Sequence, residues 1–241
     1  MNSYALYLTV FDKSAIINSL RQDIKKNIIC LYADFNVINL FYKKNISLDK
    51  RIILYPDSTA VVTALFILFR SKIKYSVSTD LQLEILRLAN MLKKKVFFFG
   101  DKKDILFLLK VNLKMQLPNL AIVGLVDGYN YSTEEVLKKI NDAKPDILFV
   151  GLGVGRQEPW ILENLSKIDI PYIISVGGWF GYLADTRKRA PKALRLLHLE
   201  WLYKLLTEFN RVWKRYLVGV PLFFYRVLTK KIIMDLKTYD G

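Results

Sequence analysis

The sequence predicts an α/β fold, namely a Rossmann-like, doubly wound, mostly parallel sheet followed by a C-terminal helical appendage. Short β-branched and aromatic runs recur without polar alternation, as expected for strands that are buried on both faces. Stretches with helical spacing separate these runs, as in parallel α/β sheets. The predicted strands are 28–32, 52–55, 96–99, 120–123, 147–150 and 172–176, and the clearest predicted helices are 58–69, 80–92, 104–115 and 132–143.

The C-terminal part follows a different pattern. From Pro191 onwards the sequence predicts helices only. Apolar side chains of Glu200–Tyr216 fall on one helical face and charged ones on another, and Gly219–Ile233 is predicted to continue as a helical segment. We therefore predict a Rossmann-like domain at 1–191 and a basic, amphipathic, membrane-associating appendage at 192–241. The alternative is that these helices complete the core of the α/β body.

Composition limits the class of protein. The chain has 241 residues and is 52% hydrophobic, but it contains no run of roughly 18 uncharged apolar residues, so no transmembrane helix is expected. Its net charge is +15, and residues 187–241 hold 13 Lys or Arg against 4 Asp or Glu, a surplus of +9. This surplus indicates an anionic partner, which could be phosphate groups, an acidic lipid surface or nucleic acid. A single cysteine and no apparent signal peptide favour a cytoplasmic protein.

Glycine and polar side chains follow most of the predicted strands. Because ligands of an open parallel sheet bind beyond the carboxyl ends of its strands, these residues are candidates for contact with a polar substrate. The G-x-G-x-G spacing at Gly151–Gly155 does not predict an NAD site, since no acidic residue follows about 20 positions later. Glycines beside a helix N-terminus instead fit contact with phosphate or sugar. The candidate segments are 33–36, 56–59, 100–101, 124–129, 151–158 and 177–178, and they include Asp34, Asn36, Asp57, Gly128, Tyr129, Gly151, Gly153, Gln157 and Glu158.

Asp57 has two interpretations, because it follows a predicted strand and precedes a predicted helix. It could cap the helix N-terminus, or it could act as a general base if it reaches an acceptor hydroxyl. The only histidine, His198, lies between two leucines and is predicted to be structural. The sequence has no His/Cys cluster with zinc spacing and no Asp-x-Asp pair, so we predict no metal and no cofactor.

Four ordered motifs in the second half resemble the WecG/TagA/CpsF family of bacterial glycosyltransferases. Ile147–Ile161 resembles the family segment VGLG-x-PKQE-x-WI, and Val176–Ala184 resembles VGG-x-FD-x-LAG. Arg189–Pro191 matches RAP, and Leu199–Leu205 matches LEWLYRL. The basic stretch Arg211–Leu217 matches the one that follows in the family. The resemblance covers nearly the whole chain and is strongest from about 96 to 228.

The resemblance implies an inverting glycosyltransferase of cell-surface polysaccharide biosynthesis. Such an enzyme moves a hexose or N-acetylhexosamine, commonly N-acetylmannosamine, from a UDP-sugar to a polyprenyl-diphosphate-linked saccharide. It would be cytoplasmic and peripheral on the inner face of the cell membrane, and a homo-oligomer is compatible with the sequence. Asp57 matches the family's catalytic base after its second strand. The implied substrate-binding residues are Asp34, Asn36, Asp80, Gly128, Tyr129, Gly151, Gly153, Gln157, Glu158, Arg189, Arg211, Lys214 and Arg215.

The sequence departs from the family mainly in its N-terminal half. Asp34 stands where the family has threonine, and Ser58 stands where it has glycine. Tyr75 and Ser78 replace an arginine and a glycine. These changes leave open an altered donor, or a degenerate, non-catalytic member that acts as a membrane-surface binding module. Nucleic acid is disfavoured as a partner, because the positive charge shares its helices with a broad apolar face.

Overall fold

The computed structural model describes residues 5–11, 14–22, 27–46, 48–49, 51–70 and 78–237. Its strands are β1 Leu6–Phe11, β2 Ile28–Ala33, β3 Ile52–Pro56, β4 Lys95–Gly100, β5 Ala121–Val126, β6 Ile147–Gly151, β7 Tyr172–Ser175 and β8 Ile232–Lys237. The helices of its first two thirds are α1 Ser14–Arg21, α2 Phe35–Lys44, α3 Thr59–Phe69, α4 Ser78–Met91, α5 Lys103–Gln116, α6 Thr133–Ala143 and α7 Gln157–Asn164. The C-terminal helices are α8 Phe180–Leu183, α9 Lys192–Leu196, α10 Glu200–Thr207, α11 Phe209–Leu217 and α12 Gly219–Leu228.

All eight described strands form one parallel sheet in the order β5-β4-β6-β7-β2-β3-β1-β8. Every residue of β2, β3, β6 and β7 is buried, because helices cover both faces of the sheet. Phe97, Phe98 and Phe99 of β4 have at most 1% of their surface exposed and form the centre of the core. The Rossmann-like fold and the six predicted strands are confirmed.

The prediction that the chain is helical only after Pro191 is wrong. Gly219–Ile233 is helical only as far as Leu228, and β8 then pairs along its whole length with β1. β1 was not predicted either. β8 lies at the edge of the sheet with β1 beside it, and buried and more exposed positions alternate in both, so neither has the continuous apolar run that identified the central strands.

The helices before β8 pack against the sheet domain. α12 contacts α2, where the Asn39 side chain donates a hydrogen bond to the Gly219 carbonyl at 2.9 Å and accepts one from Arg226 at 2.8 Å. Glu200–Tyr216, predicted as one helix, is broken between α10 and α11 at Glu208 (φ −131°, ψ 35°). The described part of the chain contains no helix with the length and apolar character that a membrane crossing requires.

Candidate active site

A crevice of about 370 Å³ opens at the carboxyl edge of the sheet. Each of the five strands from β3 to β7 contributes to its lining a residue from the loop that follows that strand. These residues are Asp57, Asp101, Gly128, Gly153 and Gly177. α11 closes one side of the crevice. The crevice therefore lies where ligands of open parallel sheets bind.

Asp57 is a wall residue of this crevice and not a helix cap. Ser58 caps α3, since its hydroxyl accepts a hydrogen bond from the N–H of Val61 at 3.3 Å. The Asp57 carboxylate instead accepts a hydrogen bond from the N–H of Ser78, the first residue of α4, at 2.5 Å. Burial raises the pKa of Asp57 and the charge of Asp34 raises it further, against the opposing effects of Ser78 and Lys204.

A second cavity of about 510 Å³, which we call the α3–α12 groove, branches from the crevice. It runs between α3 and α12 and is also walled by α10 and α11. Asp57, Lys204, Arg215 and Tyr216 line both cavities. Asp57 thus lies at the junction of two spaces that could hold two different reactants.

Asp34 and Arg215 form an ion pair of 2.8 Å between the start of α2 and the last turn of α11. The other oxygen of the Asp34 carboxylate caps α2 by accepting a hydrogen bond from the N–H of Asn36 at 2.8 Å. The Arg215 guanidinium also lies over the rings of Phe35 and Tyr216, 5.7 Å from each centroid. Burial is the largest single effect and lowers the pKa of Arg215, but the charge and hydrogen bond of Asp34, together with the nearby Tyr216 and Tyr32, raise the pKa overall.

Gln157 and Glu158 lie behind the crevice wall and are fully buried. The Gln157 side-chain amide donates hydrogen bonds to the Tyr32 hydroxyl and to Glu158, both at 2.9 Å, and accepts one from the N–H of Gly177 at 3.0 Å. Glu158 accepts a hydrogen bond from the N–H of Gly155 at 2.7 Å, and burial raises its pKa. Both side chains therefore fix the loops after β6 and β7.

Arg189 joins the C-terminal helices to α4. It forms ion pairs with Asp80 at 2.5 Å and with Glu200 at 3.5 Å. Two predicted substrate-binding residues thus bind each other.

Eight of the fourteen predicted site residues line the crevice or the groove, and six do not: Asn36, Asp80, Gln157, Glu158, Arg189 and Lys214. Tyr75 lies outside the described residues.

The crevice has a strongly positive lining, which suits a diphosphate. Its charged side chains are two Asp and five Lys or Arg, the latter being Arg156, Arg187, Lys204, Arg211 and Arg215. Arg156 donates a hydrogen bond to the Gly128 carbonyl at 3.0 Å and lies 5.9 Å from the Tyr129 ring centroid. Arg211 is bound to Glu208 of its own helical segment.

The model of the WecG/TagA/CpsF glycosyl transferase family matches residues 7–236. The chain belongs to this family. Curated relatives from Staphylococcus aureus strains NCTC 8325, COL and MRSA252 are 30% identical over 178 residues, which is 74% of this chain and 69% of each relative. Each of them is named N-acetylglucosaminyldiphosphoundecaprenol N-acetyl-beta-D-mannosaminyltransferase. The protein is therefore a glycosyltransferase, and the predicted family is confirmed.

Three basic residues of this WecG/TagA/CpsF glycosyltransferase were missed at the sequence level. Lys204 lies inside the Leu199–Leu205 motif, so its motif position could have identified it. Arg156 directly follows the glycines of Gly151–Gly155, and it faces the crevice from there. Arg187 belongs to no quoted motif, and only the fold brings it to the crevice, where it donates to the Gly178 carbonyl at 3.4 Å.

Proposed function

We propose that this protein transfers a hexose or N-acetylhexosamine, N-acetylmannosamine or a close relative, from a UDP-sugar to a polyprenyl-diphosphate-linked saccharide. The single observation that carries the proposal is the position of Asp57 at the junction of the crevice and the α3–α12 groove. The names of the relatives support a lipid-diphosphate acceptor. We also propose that the protein works peripherally at the inner face of the cytoplasmic membrane.

The donor would lie in the crevice, where backbone and charge suit a nucleotide diphosphate. Gly153 and Gly177 adopt left-handed backbone conformations (φ 87° and 55°), which direct the backbone around the space at the ends of β6 and β7. Arg156 and Arg187 supply positive charge there without an acidic side-chain partner among the described ion pairs. Such groups stabilise the negative charge that develops on a leaving diphosphate.

The reaction would be a single displacement with inversion. Asp57 removes the proton from an acceptor hydroxyl, and the hydroxyl oxygen attacks the anomeric carbon of the donor while the bond to the UDP oxygen breaks. The raised pKa of Asp57 makes it a stronger base than an ordinary aspartate, because it brings the pKa closer to the working pH. Lys204 and Arg215 would hold the acceptor diphosphate at the mouth of the groove.

The test compares Asp57→Asn with Asp101→Asn, which changes the other carboxylate of the crevice lining. Both proteins are assayed with UDP-hexosamines and a polyprenyl-diphosphate-GlcNAc acceptor, and NMR of the product gives the anomeric configuration. We expect Asp57→Asn to lower kcat by about 10²–10⁴-fold and Asp101→Asn to change it only a few-fold. Full activity of Asp57→Asn would refute the assignment of Asp57 as the general base. If the unchanged protein turns over none of the sugars, the result supports the alternative that it is a non-catalytic binding module.

A further inference from the structure

The α3–α12 groove changes chemical character along its length. The charged residues of its lining are Asp34, Asp57, Glu200, Lys204 and Arg215, of which Asp57, Lys204 and Arg215 also line the crevice. Farther from the crevice the walls are mostly hydrocarbon, and they are formed by Ala60, Trp201, Leu217, Val220, Pro221 and Phe224. A ligand that fits this groove therefore has a charged head and a long apolar part.

Two hydroxyl groups in the groove are engaged by the protein itself. The Ser58 hydroxyl caps α3, and the Thr59 hydroxyl donates a hydrogen bond to the His198 carbonyl at 3.4 Å. A nucleobase or a sugar ring, which needs several hydrogen bonds, would find few partners beyond the mouth. A hydrocarbon chain needs none.

The apolar surface continues beyond the groove along both helices. Thr63 and Phe224 line the groove, and the residues four positions later on the same helix faces are Ile67 and Leu228. These two side chains are 60% and 73% exposed. α3 contains no charged residue over its 11 residues, a length of about 16 Å. An apolar track therefore leads from the junction at Asp57 to the exposed ends of α3 and α12.

We propose that the α3–α12 groove binds the polyprenyl chain of the acceptor. This inference rests on the proposed function, because it assumes a polyprenyl-diphosphate acceptor. The acceptor diphosphate lies between Lys204 and Arg215, and its first isoprene units lie along α3 and α12. The chain leaves the protein near Ile67 and Leu228, from where it enters the bilayer. The α/β body thus contributes α3 to lipid recognition, in addition to the C-terminal helices.

The test uses two acceptors with the same GlcNAc-diphosphate head, one with a long polyprenyl tail and one with a short alkyl tail, both in detergent micelles. Thr63→Phe fills the groove. Leu68→Phe is the matched control, because five positions place it about 140° around the helix from Thr63. We expect Thr63→Phe to raise the KM for the long-tailed acceptor about tenfold, the effect of losing contact with roughly two methylene groups. The short-tailed acceptor and the control should be unaffected.

An equal effect of Thr63→Phe on both acceptors, or no effect on either, overturns the groove proposal. If Thr63→Phe does not fold, as judged by thermal melting, Phe224→Ala removes part of the opposite wall and is expected to raise the KM for the long-tailed acceptor alone. Failure of the unchanged protein to use either acceptor contradicts the proposed function instead. The two proposals therefore fail by different observations.

Discussion

The Arg215 guanidinium contacts the Asp34 carboxylate at 2.8 Å, with 32% of the Arg215 side chain exposed and 3% of that of Asp34. This pair connects the loop after β2 to α11. Arg215 is thus already paired with a carboxylate before any diphosphate arrives, and Lys204 supplies the second positive charge at the junction with the groove.

Separating this pair should destabilise the protein. Arg215→Gln leaves the buried Asp34 carboxylate without its ionic partner, and we expect the free energy of unfolding to fall by about 1–3 kcal/mol. Asp34→Asn keeps the α2 cap, because asparagine is a good N-cap residue. It should therefore lower the free energy of unfolding by less than Arg215→Gln does. Urea denaturation of both single variants and the double variant gives the coupling energy. A coupling energy near zero would show that the pair contributes nothing to stability.

The activity should depend on pH through Asp57. A general base acts only when it is deprotonated, and the pKa of Asp57 is raised above the ordinary value of 3.8. We therefore expect kcat/KM to fall on the acid side at a pH above 3.8. Asp34→Asn removes a negative charge that raises this pKa, so the acid limb should move to lower pH. If the acid limb of the kcat/KM profile stays in place or moves to higher pH in Asp34→Asn, the proposed effect of the Asp34 charge on the pKa of Asp57 is refuted.

The sequence was sufficient to predict the six strands from β2 to β7, but not β1 and β8. Continuous apolar runs such as 147–150 identify strands that are buried on both faces, whereas β1 and β8 alternate and resemble neighbouring helical or mixed segments. The pairing of β1 with β8 joins residues more than 220 positions apart, so no local sequence pattern contains it.

For the site, the sequence predicted which loops meet but not which side chains face the cavity. Asp57 and Gly153 follow strands and reach the crevice because parallel strands end at one edge. Gln157 belongs to a recognisable motif but points into the protein, where it binds the Tyr32 hydroxyl. The direction of a side chain at the start of a helix depends on packing with loops that are distant in sequence. The motif alone therefore did not distinguish substrate contact from support of the wall.

Close packing of β4 against β6 should make Gly100 intolerant of a side chain. Gly100 has φ +137°, and an added Cβ would overlap the carbonyl of Gly151 on the neighbouring strand. Gly153 has φ +87°, but nothing lies within 4 Å of its added Cβ. We expect Gly100→Ala to lower the free energy of unfolding by about 3 kcal/mol and Gly153→Ala by about 1 kcal/mol. Equal losses in urea denaturation would contradict the packing argument.

Membrane attachment is best tested by surface substitutions, because β8 belongs to the sheet and removal of residues 192–241 would expose the edge of β1. Phe209 and Leu217 of α11 are exposed apolar side chains on a helix that also carries Arg211 and Lys214. Such a helix binds an anionic bilayer through both its apolar area and its charge.

We expect Phe209→Ser with Leu217→Ser to reduce cosedimentation with vesicles of phosphatidylglycerol and phosphatidylcholine at least tenfold, since each exposed large apolar side chain contributes roughly 1.5–3 kcal/mol when it is fully buried. The matched control is Met115→Ser, which removes an exposed apolar side chain from α5 in the α/β body. Without the two apolar side chains, only electrostatic attraction holds the protein on the vesicles. Residual binding of the double variant should therefore be lost at high salt, which screens this attraction. Unchanged binding of the double variant would mean that the C-terminal helices do not contact the lipid, and an equal loss in Met115→Ser would place the lipid contact on another face.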